Sequence, residues 1–242
     1  QLDSFKQWYS RSGTPRVKAR GSYDADSQRY SLHLSQQLGT ADAAPLLIPV
    51  SVALFTADGQ PMPLRLADDP ASHGHDETLL VLGKSEGIWT FEGVPSQPVP
   101  SLLRGFSAPV ALDDGLDDAA LLTLLAHDTD PFNRWEAGQR LSLKRLLAAV
   151  QAETLPVLDE SYLQALRSVL RHPALDAAFK AMVLALPGEG YIAEQLAVVD
   201  PQRIHAVREQ LLDQLAEQLQ ADWAWAYEHH QVRSGYAPQR QQ

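Results

Sequence analysis

The residues best equipped for chemistry are eight histidines: His33, His73, His75, His127, His172, His205, His229 and His230. An imidazole can ligate a metal or move a proton near neutral pH, so what stands beside each one matters. The densest grouping is His73-Gly74-His75-Asp76-Glu77. Alternate residues of an extended segment point the same way, so His73 and His75 could chelate one ion. A metal site needs more ligands on a fixed frame, and a solvated loop ahead of a strand is the plainer reading. His229-His230 sits at a helix end, where adjacent side chains are expected to point apart into water. His205 precedes Glu209 by one helical turn, which makes an exposed ion pair the ordinary reading and an oriented base the sharper one. His127, beside Asp128 and Asp130, could transfer protons. A cation attracted to a helix C-terminus explains it more simply.

Paired carboxylates occur at Asp68-Asp69, Asp113-Asp114 and Asp117-Asp118. General acid and base work needs two carboxyls held apart in a cleft, whereas these neighbours read as helix caps and solubilising charge. Trp223-Ala224-Trp225 and Tyr227 could form a binding platform. A core anchor on the face of 223 and 227, with Trp225 contacting sequence beyond this chain, is the preferred reading. The sequence contains no His-Glu-x-x-His, no Gly-x-Ser-x-Gly, no Walker loop and no Gly-x-Gly-x-x-Gly. Without cysteine it has no thiolate zinc site, thiol nucleophile or disulfide framework. No catalytic, cofactor-binding or metal-ligating residue is therefore assigned.

The elements that would position these side chains fall into two kinds. From Arg16 to about Leu112 the pattern has period 2. Tyr30, Leu32 and Leu34 alternate with polar residues, as do Trp89 and Phe91. Ile48, Val50, Val52 and Leu54 alternate with smaller positions. Leu79–Leu82 and Leu103–Val110 are further strand candidates. Turns fall at 24–26, Asp58-Gly59, 85–87 and Pro95–Pro100, and loops at 37–45 and 68–76. Short strands at this spacing predict an antiparallel β-sandwich of Ig-like type.

From Asp117 the period becomes 3.6. Asp117 or Asp118, Asp130-Pro131, Asp159 and Asp200-Pro201 read as helix starts, and Pro173 as another, carrying Leu175, Phe179, Met182 and Leu186 on one face until Pro187-Gly188. Ile204, Val207, Leu211, Leu215, Leu219, Trp223 and Tyr227 form one continuous stripe. Successive amphipathic helices predict helical hairpins stacked as a solenoid. The expected fold class is α+β in segregated domains: a linker over 1–15, a β-sandwich over 16–113 and a helical domain over 114–242.

The 242 residues carry a net charge of −10, and both halves are acidic. No basic stripe exists to neutralise phosphates, so neither nucleic acid nor an anionic membrane surface is an expected partner.

Several runs resemble the bacterial aminopeptidase N (alanyl aminopeptidase) family of zinc metallopeptidases. They are FKQWYSRSGTP at 5–15, FEGV at 91–94 with QPVPSLLRGFSAPV at 97–110, and DPFNRWEAGQ at 130–139. The resemblance implies a polypeptide with an N-terminal β domain, a thermolysin-like zinc domain, a β-sandwich and a helical C-terminal domain. It makes residues 1–15 the exit of the catalytic domain, and 114–242 the first part of a helical domain that continues further. It implies a cytoplasmic enzyme that removes N-terminal residues from peptides, with zinc polarising the carbonyl and activating water. The family's zinc ligands, general-base Glu, amine-binding Glu and transition-state Tyr belong to the catalytic domain and have no matching position here. The expected partners are the remaining domains of the same polypeptide and, for the whole enzyme, peptides. The expected role is a non-catalytic spacer and chamber wall. The rival reading is a non-enzymatic peptide- or protein-binding module.

Overall fold

The computed structural model describes residues 5–9, 12–37, 44–69 and 74–231. Two compact units divide the chain, one ending at Gly138 and the other beginning at Gln139.

The first unit is built on two sheets. One has the order β6 (Glu86–Glu92), β2 (Arg29–Gln37), β1 (Arg16–Asp24), β8 (Ala111–Asp113); β8 runs parallel to β1 and the other pairs are antiparallel. In the other, β3 (Ile48–Phe55) pairs antiparallel with β4 (Pro61–Met62), β5 (Thr78–Leu82) and β7 (Val99–Leu102). Strand residues two apart share a face, so Val17 and Ala19, Tyr30, Leu32 and Leu34, Ile48, Val50 and Val52, Leu80 and Leu82, and Phe91 all point into one core. Gly21 is required where β1 passes Tyr30, because a Cβ there would lie 2.1 Å from the phenol oxygen. The Trp8 indole donates to Leu47 O at 3.0 Å, so the short turn Gln7–Tyr9 is pinned to the sandwich.

One strand expectation and one turn expectation fail. The segment Leu103–Val110 is not a strand. Leu103, Gly105 and Phe106 have φ of 58°, 60° and 54°, a left-handed region that no strand visits. They form a 3₁₀ turn over Arg104–Phe106. The Pro95–Pro100 turn ends early, because Val99 and Pro100 already belong to β7, opposite Phe55 and Leu54. The 3₁₀ turn also explains why β3 is buried on both sides through Ser51, Ala53 and Phe55. The Ser107 hydroxyl accepts from Ser51 N, and the Arg104 guanidinium lies over the Phe55 ring.

Helix α1 (Asp118–His127) belongs to this unit, and α2 (Pro131–Ala152) begins in it. Asp117 accepts from Ala120 N and Asp130 from Asn133 N, so both predicted aspartate caps form.

The second unit holds the rest of α2, then α3 (Glu160–Arg171), α4 (Ala177–Leu184), α5 (Glu189–Ala193), α6 (Pro201–Gln218) and α7 (Gln220–His229). Asp159 and Asp200 cap α3 and α6 as expected. Helix α4 starts later than predicted: Asp176, not Pro173, is the residue before the helix and accepts from Phe179 N. Its buried face is Lys180 and Val183, while Met182 is 51% exposed. Helix α5, which buries Ile192, was not anticipated. The long stripe is interrupted. Ile204, Val207, Leu211, Leu215 and Leu219 are buried, but Leu219 leaves helical geometry at φ −108° and ψ 18°. Beyond it the buried residue is Asp222, and Tyr227 is 69% exposed. Among the described residues no helix is long and apolar enough to cross a membrane.

Candidate functional site

The histidine-rich loop does not assemble around an ion. His73 lies outside the described residues. His75 forms an isolated bridge with Leu64 through its backbone carbonyl. Glu77, two residues beyond His75, accepts from Ser51 Oγ at 2.5 Å and from Arg104 Nε at 2.7 Å. Burial raises the Glu77 carboxyl, but these two donors outweigh it and hold the group below its ordinary range.

Those contacts lead to the most concentrated polar cluster of the β unit. The left-handed turn at Leu103 and Gly105 turns Arg104 inward, where it is 7% exposed. Its guanidinium donates to Glu77, to Ser101 Oγ at 3.0 Å, to Asp128 Oδ1 at 2.6 Å and to Thr129 Oγ1 at 2.8 Å. Asp128, fully buried at the C-terminus of α1, also accepts from Ser101 Oγ at 2.7 Å and from Asp130 N at 2.8 Å. Asn133 Nδ2 donates to Ser101 Oγ and to Leu102 O, and Gly105 N donates to Asp130 Oδ2. Burial pushes the Asp128 carboxyl above its ordinary value against the pull of Ser101 and Arg104. The lone pairs that acid or base chemistry would use are taken up by fixed donors. The cluster is suited to tying β7, the 3₁₀ turn, α1 and the start of α2 into one frame.

His127 stands in the last turn of α1, at the helix end where the sequence put it, and there forms a wall for the β3–β4 turn. Gly59 sits at φ +83°, and a Cβ there would lie 2.1 Å from the imidazole. Thr123 Oγ1 donates to Ala57 O in the same turn. Asp113 ion-pairs with Arg20 at 2.9 Å rather than standing free in water.

In the helical unit, His205 does not pair with Glu209. Its Nδ1 meets Glu189 Oε1 at 2.8 Å, and this hydrogen bond raises its pKa. Glu209 lies instead 3.3 Å from Arg208. His229 and His230 do not point apart. Both gather on Trp225, with His229 stacked on the indole at 4.6 Å and His230 edge-on at 6.4 Å. Arg171 and Lys180 approach the same ring at 5.1 and 5.6 Å. Trp223, which shares the predicted face with Tyr227, donates to Leu215 O. Asp222 accepts from Arg171 Nε at 2.6 Å and Arg167 Nε at 2.9 Å. Burial raises its carboxyl, and the two arginines more than reverse that, leaving it below its ordinary range. A groove of about 530 Å³ opens between the end of α2 and the start of α6, where Arg203 Nη2 donates to Ala149 O and Thr154 O.

Among the described residues, no three histidines or carboxylates come together in a way that could hold a metal ion. The hubs that organise the polar interior, Arg104 and Asp222, were missed in the sequence. The available signal was a charged residue inside an apolar pattern, in SLLRGFSAPV and at the break of the 204–227 stripe.

An Ig-like β domain followed by paired helices of armadillo type defines the class of this chain. The Ig-like domain of unknown function DUF3458 matches residues 13–115, and the ARM-repeat domain DUF3458_C matches residues 118–242; the chain belongs to this family. It is 35% identical to aminopeptidase N of Escherichia coli over 225 residues, which is 90% of this chain and 25% of that protein. It is also 35% identical to aminopeptidase N of Haemophilus influenzae over 236 residues, 94% of this chain and 26% of the relative. The chain thus corresponds to about a quarter of these relatives. The crystal structure of Legionella pneumophila aminopeptidase A in complex with aspartic acid has the same fold over 99% of this chain and 26% of its own, with a TM-score of 0.82 at 24% identity.

Proposed function

We propose that this chain is a non-catalytic, structural portion of a zinc-dependent aminopeptidase that removes N-terminal amino acids from peptides. In this reading it acts as a spacer and as part of the wall of the active-site chamber, in a cytoplasmic enzyme whose other domains are its partners. Zinc would polarise the scissile carbonyl and activate water when bound elsewhere in the polypeptide. The described residues do not fit such an ion, because no three of their histidines and carboxylates come together, and Glu77 and Asp128 are bound to Arg104.

One observation carries the reading. The similarity to proteins named aminopeptidase N runs through both domains, while Glu77, a carboxylate of the histidine-rich run, is committed to Ser51 and Arg104. The purified chain should show no turnover of an amino-acid anilide with or without added zinc, whereas the full-length protein should be active and lose activity to a chelator. Zinc-dependent turnover by the chain alone would overturn the non-catalytic assignment. An active full-length enzyme that trims folded proteins as fast as short peptides would overturn the chamber-wall role.

A further inference from the structure

The ammonium of Lys180 is held in an unusual way. The residue is 3% exposed, and its Nζ lies 3.2 Å from His230 Nε2 and over the face of Trp225. The nearby acid that acts on it, Asp176, uses Oδ1 to cap α4 through Phe179 N. A buried ammonium needs an acceptor. At His230 only the neutral ring can supply one, with its proton on Nδ1 and its lone pair on Nε2.

We propose that the end of α7 is a proton-released latch: neutral His230 closes it by accepting from Lys180, and protonated His230 lets the helix end go. Among the described residues, the charged neighbours bear on this as follows. From α3, Arg171 stacks on the same indole and, with Arg167, is tied to Asp222. From α4 come Lys180 and the capping Asp176. From α7 itself come His229, 5.2 Å from His230, and the adjacent Glu228. Helix α6 meets α7 through Leu215 and Trp223, two turns away from His230. A proton on His230 would remove the acceptor and add a cation beside Lys180 and His229. Burial, then Lys180, then His229 hold the His230 pKa below its ordinary value, which agrees with this arrangement.

The neutral ring is the one bound in the closed state, so closure is complete above the ordinary histidine pKa and weakens as pH falls through it towards the lowered value. Over that window the opening constant should rise about tenfold per pH unit.

Hydrogen exchange of the α7 amides in the 242-residue chain, corrected for intrinsic rate, tests this between pH 8 and pH 5, with His230 followed by imidazole NMR. Protection at 225–229 should fall with pH while the core amides of Leu166 and Val169 in α3 hold level. His230→Gln keeps an acceptor for Lys180 but cannot ionise, and should make α7 protection flat. Lys180→Met should move the His230 titration back up. The proposal is overturned if α7 protection stays constant while His230 titrates, if His230→Gln keeps the wild-type pH dependence, or if α3 and α7 lose protection together.

Discussion

Asp128 in the β unit and Asp222 in the helical unit are both buried carboxylates that receive arginine donors, yet their acidities move in opposite directions. Asp128 is shifted up and Asp222 down. Both the aspartates and their arginines differ in depth. Arg104 is 7% exposed, so that pair forms wholly inside the protein, whereas Arg167 and Arg171 are 30% and 43% exposed at the side chain and keep much of their hydration. A carboxylate in a dry pair suffers its own desolvation and sits beside an equally desolvated partner. One reached by wet arginines gains the attraction with less of that cost. Desolvation of the anion is the first cause at both sites; it wins at the deeper Asp128, and two arginines overcome it at Asp222.

The largest effect should come from breaking the dry pair. Asp128→Asn removes the buried anion of the pair and leaves Arg104 with the half-exposed Glu77 as counter-charge; it should destabilise the β unit by about 3 kcal/mol, read as a fall in the urea midpoint of that unit at unchanged slope. A loss close to zero would mean water reaches Arg104 and the contrast is false. Gly59→Ala should cost about 2 kcal/mol, because both its positive φ and the His127 ring oppose a Cβ. That would show the turn-to-α1 packing to be as rigid as the charge cluster it adjoins. Asp222→Asn should cost only about 1 kcal/mol. Its pH dependence sharpens the comparison. The Asp222 pKa is lowered by folding, so the difference between wild type and Asp222→Asn should be full above the ordinary aspartate pKa and vanish as pH falls through the lowered value. A difference that grew with acid would reverse the assignment.

The parts legible in the sequence were those set by local rules. Asp117, Asp130, Asp159 and Asp200 were readable as caps because a cap is decided within one helical turn. The order of an Ig-like β domain followed by helices was legible in the change of hydrophobic period, which burial on one face imposes. What escaped depended on distant partners. His205 pairs with Glu189, sixteen residues away, so the rule for neighbouring turns chose the wrong acid. The left-handed backbone at Leu103 and Phe106 is not a preference of those residues. It is held by Arg104, whose partners lie on β7, α1 and the approach to β5. The 204–227 stripe was read through Leu219 because nothing local announces that Asp222 will turn inward to meet two arginines on α3.

One feature of the β domain bears on how it behaves under load. Strands β1 and β8 run parallel, with Arg16 opposite Ala111 and Lys18 opposite Asp113, and Ala111 N donates to Pro15 O. The backbone therefore arrives and departs side by side, and tension on it would drag the two strands past one another lengthwise. Sliding requires their hydrogen bonds and the Arg20–Asp113 bridge to yield together, whereas an antiparallel outer pair peels open one bond at a time. That geometry resists stretching along the strands, and pulling the domain by its two ends in a force-ramp experiment should reveal one abrupt rupture instead of gradual extension.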